Sequence, residues 1–469
     1  MYRVGCKKLQ GVDTEKQGAN GMQFLQVHGA DRTALGDVGM STCVTDGVSA
    51  IRCGNEVIRE PLRPDERIRE SACLCFSDLY SHSFARTLTA KEWSKLLHWL
   101  DVSGLALCFL DRMTEVGRRS LLPATIVNRL ECNLNENRQR TLGLIGESVK
   151  LQRDFQSADL RYAVMKGVSL FPVSVPRLEL RHQFDLDFLI AESDAPVARK
   201  ILERHGYTPF AIAGKCWEFK KGQTTRVTAK DLYRDLPYRG VELHLEGNAA
   251  AMSTRLDRRV SREIHGETMP VLSPIDLFLG QAMHVSKDIA SPFLRASHLL
   301  EFYRHVLARR EDICFWEELR AQVSEDRRES LAIGMAAYLA MSIWGDFVPR
   351  SLSSWTVDKL PPPIRLWLDL YGRSTLFQVP PGNKRYLWLR QEVDLAVEIS
   401  GGSSKSSLLP LRLPHAVITA TPGEAVSTRV ARCGLQIRYL ASRLRFHFVE
   451  SVRLVIESRR WRRLRSSPS

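Results

Sequence analysis

The sequence predicts an α+β fold: a small mixed β-sheet flanked by N-terminal and C-terminal helical segments. Three observations predict it. Between Arg161 and Gly247 short apolar runs alternate with polar residues and are broken by Gly and Pro, the texture of strands. Before that stretch, from Pro64 to about Asp159, and after it, from Ser273 to about Ser400, apolar residues recur at helical spacing. Finally, FDLDF at 184–188 and VELHL at 241–245 each place apolar residues on one face and acidic residues on the other, as half-buried strands do.

Taken in order, residues 1–60 are rich in Gly, Asp, Thr and Ser without a sustained period, which predicts an irregular or disordered leader. Residues 61–160 read as a helical lead-in, carried by WSKLLHWL, LALCFLDRM and a long segment that starts at Pro123. The α/β core is placed at 161–250 and a helical domain at 251–400, opened by Ser273 as cap and Pro274 in the first turn. GGSSKSS marks a linker over 401–424, and 425–469 is a basic amphipathic tail.

Bulk properties narrow the class. The chain has 469 residues and 44% hydrophobic content, ordinary for a globular protein with a sizeable core. Its longest apolar run, Leu331 to Trp344, is too short to span a membrane and predicts a buried helix. The N-terminus has no apolar signal region, so the expected compartment is the cytoplasm. Ten scattered cysteines, with no CxxC and no second ligand pair beside Cys73 and Cys75, argue against a disulfide framework or a structural zinc. The net charge of +14 is concentrated: residues 425–469 hold 11 arginines against Glu450 and Glu457, a balance of +9. The remainder carries only +5, too thin for a basic groove.

The chemistry is expected in YAVMKGVSLFPVSVPRLELRHQFDLDFLI, read as strand, Gly turn, short helix, loop, strand. At Lys166-Gly167 the missing Cβ would let backbone N–H groups approach a phosphate, with the next helix offering its positive end. An ordinary turn has the same composition. Asp185 and Asp187 fall on one face, about 6.6 Å apart along the strand. Two like charges so close raise each other's pKa unless a cation lies between them, and Mg²⁺ (or Mn²⁺) suits carboxylates that also face substrate phosphates. On this reading, Asn at either position stabilises the metal-free protein. A wet strand face would look similar, but Glu242 supplies a third carboxylate on a second strand and completes a metal-binding set of Asp185, Asp187 and Glu242. His244 shares the face of Glu242 and is expected as its hydrogen-bond partner. Between the strands, Ser193 and Asp194 are expected to cap a covering helix with Val197, Ile201 and Leu202 on its apolar face.

MKG, Arg181 four residues before Asp185, DLDFLI, a helix ending in HGY, and VELHLE together resemble the bacterial family of uncharacterised nucleotidyltransferases. The resemblance extends to LPATIVNRL and SPIDLFLGQAMHVSKD, over roughly residues 120–310. It implies a nucleotidyltransferase-fold core in which Asp185, Asp187 and Glu242 are catalytic and bind metal. It also implies nucleotide contacts from Lys166, Gly167, Ser169 and Arg181, with Lys166 and Arg181 neutralising phosphate charge. Two positions depart from the pattern. Glu242 stands where aspartate is usual, and Leu245 where tryptophan is.

The expected activity is therefore two-metal transfer of a nucleoside monophosphate from an NTP to an unidentified acceptor. The alternative is an inactive binding or regulatory protein of the same fold, associated with membranes through its tail. His284 on the following helix either faces the site or is a satisfied interior residue. Trp217 and Phe219 read as core. The tail, with Leu435, Leu440, Leu444, Phe448 and Val452 on one stripe, is suited to three partners. It can dock on the helical domain and leave only RRWRRLR solvated, lie on an anionic membrane, or bind nucleic acid.

Overall fold

The computed structural model describes residues 60–77, 82–222, 231–236, 238–247, 254–323, 326–397 and 425–466. The leader expected over 1–60, save Glu60, and the linker expected over 401–424 lie outside these residues. The chain divides into two compact units, one holding Asn128–Gly280 and the other the helices before and after it.

The lead-in is helical as expected: α1 (Pro64–Leu74), α2 (Ala90–Ser103), α3 (Ala106–Glu115) and α4 (Ala124–Ser157). α2 shows how the sequence sets such boundaries. Glu92 N–H donates to the Thr89 hydroxyl at 3.3 Å, and the Glu92 carboxylate accepts from the Thr89 N–H at 2.8 Å, so two otherwise unpaired donors are satisfied. At its other end Gly104 has φ +78°, and a Cβ there would strike Ser297 and Arg295. α4 lays Leu144, Ile145, Leu151 and Phe155 into the sheet's core.

The first unit is built on β1 (Tyr162–Met165), β2 (Asp185–Ala191), α5 (Ala195–Arg204), β3 (Thr208–Ala213), β4 (Cys216–Lys221), β5 (Arg239–Glu246), β6 (Val260–Ile264) and β7 (Glu267–Val271). The strands form one mixed sheet in the order β3-β4-β5-β2-β1-β7-β6. β2 lies at its centre, antiparallel to β1 and parallel to β5. Its apolar face is fixed by edge-on aromatic contacts of Phe155 with Tyr162 and Phe188, at centroid distances of 5.3 and 5.4 Å. Phe219 is fully buried and Trp217 packs against the same core, as expected.

Three details differ from the sequence reading. The sheet continues past residue 250, where a helical domain was expected to begin, because β6 and β7 form a hairpin turning at His265 and Gly266, both with positive φ. In α5, Ile201 and Leu202 are buried but Val197 is exposed. The Asp194 carboxylate accepts from the Arg161 N–H at 2.8 Å and makes no cap bond to α5.

After the sheet, the Asp276 N–H donates to the Ser273 hydroxyl at 3.1 Å and so caps α6 (Pro274–Ile289). The second unit continues with α7 (Ala296–Ala308), α8 (Ile313–Val323), α9 (Arg327–Trp344), α10 (Arg350–Ser353), α11 (Pro362–Trp367), α12 (Arg373–Leu376), α13 (Tyr386–Ala396) and α14 (Val426–Ser466). α9 is buried along most of Leu331 to Trp344, as its apolar run predicts. No described helix is long and apolar enough to cross a membrane.

The expectation that a docked tail leaves only RRWRRLR solvated holds for its five arginines, which are exposed, but not for its tryptophan or for the stripe before it. Trp461, inside that run, is buried and stacks on Trp388 of α13 with centroids 5.7 Å apart and rings 7° from parallel. Arg385 pairs with Glu457 at 2.8 Å and Arg465 with Glu392 at 2.8 Å. The apolar residues that docking was expected to cover, Leu444, Phe448 and Val452, stay exposed, and Leu435 and Leu440 are half-buried.

Candidate active site

Strand pairing decides what faces what. The parallel register sets Asp185 opposite Gly240 and Asp187 opposite Glu242, while β1 sets Met165 opposite Asp187 and so brings the following Lys166 to the same edge. The sequence placed Asp187 and Glu242 on separate strands. The register makes them neighbours. Both are buried, and Asp185, at the open start of β2, is half-buried.

The charges converge on one ammonium. Lys166 Nζ donates to Asp187 Oδ1 at 2.7 Å and lies 3.9 Å from Glu242 Oε2. His244 Nε2 lies 3.2 Å from Asp187 Oδ1, 3.3 Å from Glu242 Oε2 and 3.4 Å from Lys166 Nζ. His244 is thus the partner of the carboxylates, as expected.

This geometry splits the two aspartates. Burial, with Asp187 and Glu242 adding to the shift, pushes the Asp185 carboxyl up to about 7. Burial opposes ionisation of Asp187 too, but Lys166 and the hydrogen bond from His244 outweigh it and hold Asp187 well below the ordinary carboxylate range. For Lys166, burial works against the charge, and the Asp187 carboxylate overcomes it and raises the pKa. His244 is raised in the same manner, against its own desolvation, by Asp187 and Glu242.

The turn that feeds Lys166 into the cluster is strained. Lys166 and Gly167 both have positive φ, 56° and 45°, and a Cβ on Gly167 would run into the Gln183 side chain. The expected phosphate-facing helix is only a single 3₁₀ turn, Gly167–Leu170, with all four residues buried. Ser169 is not brought to the site as a phosphate ligand. It is fully buried, its hydroxyl donates to the Lys166 carbonyl at 2.7 Å, and its own carbonyl accepts from Arg262 at 2.8 Å. Arg181 stands close enough for its charge to lower the pKa of Asp185, while its backbone carbonyl accepts from Asn137 at 3.1 Å.

Sequence reasoning missed the opposite face of β4. Cys216 pairs in register with His244 and Glu218 with Glu242, and one donor atom each of Cys216, Glu242 and His244 lie within 4.8 Å of one another. Burial, with Glu242 adding, pushes the Cys216 thiol up to about 11. Period 2 offered the signal: once Trp217 and Phe219 are core, Cys216, Glu218 and Lys220 belong to the acidic face.

The model of the family described as uncharacterised nucleotidyltransferase matches residues 89–344, more than half of the chain. The chain belongs to that family. Among solved structures it is similar to a crystal structure of an antigenic nucleotidyltransferase-like protein from Paracoccidioides brasiliensis, at 14% identity over 42% of this chain and 92% of that one. The TM-score is 0.26, too low for that likeness to assign the fold. No curated protein matches the chain. Within the uncharacterised nucleotidyltransferase match lie both the acidic cluster and His284. In the second unit, His284 lies 3.9 Å from Asp288, whose carboxylate is 2.8 Å from His298 Nδ1, and the two imidazoles meet edge to face at 4.2 Å.

The acidic cluster offers hard oxygen donors of the kind Mg²⁺ (or Mn²⁺) takes, and a cationic group, Lys166 Nζ, already lies between Asp187 and Glu242. Of the three carboxylates, Glu242 is the one whose donor atom gathers with two other ligand types, those of Cys216 and His244, within 4.8 Å among the described residues.

Proposed function

We propose that this nucleotidyltransferase-family protein transfers a nucleoside monophosphate from an NTP to an acceptor. The observation that carries the reading is the position of Lys166, whose ammonium sits among Asp187, Glu242 and His244 at the mouth of a glycine turn. Three carboxylates gathered on parallel neighbouring strands are costly unless a cation joins them, and they are the donor set phosphate chemistry uses. Mg²⁺ (or Mn²⁺) held by Asp185, Asp187 and Glu242 would supply neutralisation of the triphosphate.

The residues of the chain then have separate tasks. Lys166, about a third exposed, leaves Asp187 and places its charge on phosphate oxygens, with Arg181 adding a second cation. Gly167 admits the phosphate close to the backbone. Glu242 and His244, 3.3 Å apart, accept the proton of the acceptor hydroxyl or amine. The acceptor atom forms its bond to the α-phosphorus, the α–β bridging bond breaks, and pyrophosphate leaves with those electrons.

The test incubates the full chain with each NTP and Mg²⁺ or Mn²⁺ in the presence of candidate acceptors, the chain itself included. Pyrophosphate release matched by the mass of one nucleoside monophosphate on an acceptor supports the reading, and loss of both in Asp187→Asn ties the reaction to this cluster. One observation favours a second reading. Lys166 satisfies Asp187 without any metal, as it would in a family member that binds nucleotide without turnover, and NTP binding that is indifferent to Mg²⁺ would select it.

A further inference from the structure

We propose that α14 is a membrane-surface helix that holds the protein on anionic lipid through a stripe of exposed apolar residues edged by arginine. The inference is independent of the proposed activity and rests on how the two faces of this one helix are used.

One face is taken. Glu450, Leu454 and Trp461 are buried, and the contacts of Arg385, Trp388 and Glu392 described above run along the same side. These contacts fix the helix by its C-terminal half and so fix which side is left over. On the other face Val430, Ile437, Leu444, Phe448 and Val455 are each between 58% and 68% exposed. At about 100° per residue these five fall within roughly 40° of one another, a straight apolar line along most of the helix. Val452 and Ile456, also exposed, widen it on one side. A soluble surface scatters such residues singly, and a continuous row of them marks a surface that something covers.

The charge identifies the covering surface. Arg438, Arg445 and Arg463 lie at the edge of the stripe and Arg459 within it, where their aliphatic stems can lie along lipid while the guanidinium groups reach headgroup phosphates. The segment 425–469 carries +9, so pairing the stripe with a second copy would bring two strongly positive helices face to face. An anionic bilayer turns the same charge into attraction. Nucleic acid would use the arginines and leave the apolar line exposed. Since no described helix is long and apolar enough to cross a membrane, the helix lies along the surface.

The test uses the full chain and vesicle flotation, with vesicles of phosphatidylcholine alone and of phosphatidylcholine mixed with phosphatidylglycerol. The expected result is binding to the mixed vesicles only, weakened by salt. The double variant Leu444→Ser/Phe448→Ser keeps every charge and should lose binding by about tenfold or more, and Arg438→Gln/Arg445→Gln should lose both affinity and salt sensitivity. All four positions are exposed or peripheral, and an unchanged thermal melt in each variant shows that the loss is not unfolding. Failure of the natural protein to float with the mixed vesicles overturns the proposal. So does a concentration-dependent dimer that the Ser variant abolishes, or an affinity for nucleic acid that exceeds that for vesicles and survives in the Ser variant.

Discussion

Replacing Asp185 and Asp187 separately by Asn should move stability in opposite directions, although the two residues are one pleat apart. In the metal-free protein burial and the neighbouring carboxylates push Asp185 up to about 7 from an ordinary 3.8. The folded protein therefore binds more protons than the unfolded chain between those values, and stability falls as pH rises through that window. Asn at 185 mimics the protonated form and removes the loss. The shift corresponds to about 4 kcal/mol at its upper limit, and the partial exposure of Asp185 screens it to on the order of 1–2 kcal/mol at pH 8. At pH 4 the substitution should be nearly neutral.

Asp187 has the contrary sign. Its folded pKa is depressed, so its stabilisation is present above the ordinary carboxylate pKa and lost as pH falls through the folded value. Asn at 187 breaks the 2.7 Å contact with Lys166 and leaves a partly buried ammonium whose remaining carboxylate contact is the longer one to Glu242, at 3.9 Å. Breaking a fully buried pair costs about 3–5 kcal/mol, and the accessible Lys166 tip reduces this to on the order of 2 kcal/mol. Urea unfolding in EDTA at pH 8 and pH 4 reads both variants. The charge assignment fails if the two move the same way at pH 8, as the sequence alone expected when it saw two like charges.

Three further outcomes follow from the same geometry. Lys166→Met should raise Mg²⁺ affinity in the absence of nucleotide, because the competing ammonium is gone, yet lower NTP affinity by about tenfold, both read by calorimetry. Gly167→Ala should cost about 1–2 kcal/mol in urea unfolding, since φ is +45° and the new Cβ meets Gln183. Truncation after Arg453 removes Glu457, Trp461 and Arg465, leaving Arg385 with only one of its two carboxylate partners, Glu60, Trp388 without its stacked ring and Glu392 without Arg465. It should therefore lower the melting temperature by several degrees instead of leaving the protein intact.

The strands of the site were legible because period 2 is a local property: DLD and ELH announce a polar face wherever the chain runs. β6 and β7 were not, since only Ile264, Met269 and Val271 of their ten residues are buried, too few to register as alternation. The His265-Gly266 turn was the one cue to that hairpin. For the tail, composition revealed an amphipathic helix but not which face docks, because Trp461 finds its place through Trp388, 73 positions earlier.

The electrostatics of the site were illegible for a deeper reason. Asp185 and Asp187 share strand and face, and nothing local distinguishes them. The difference is made by β1, whose register against β2 delivers Lys166 to Asp187 and leaves Asp185 to burial and repulsion. An ammonium so placed holds the carboxylates together before any substrate arrives, at the cost of competing with a divalent ion for Asp187. Under the proposed function a triphosphate would resolve the competition by offering Lys166 new oxygens while adding ligands for the ion. Nucleotide and divalent ion should therefore bind with positive coupling: each frees or completes the place the other needs. Equal Mg²⁺ affinity with and without NTP in the natural protein, beside unchanged affinity in Lys166→Met, would show that Lys166 is only a structural counterion.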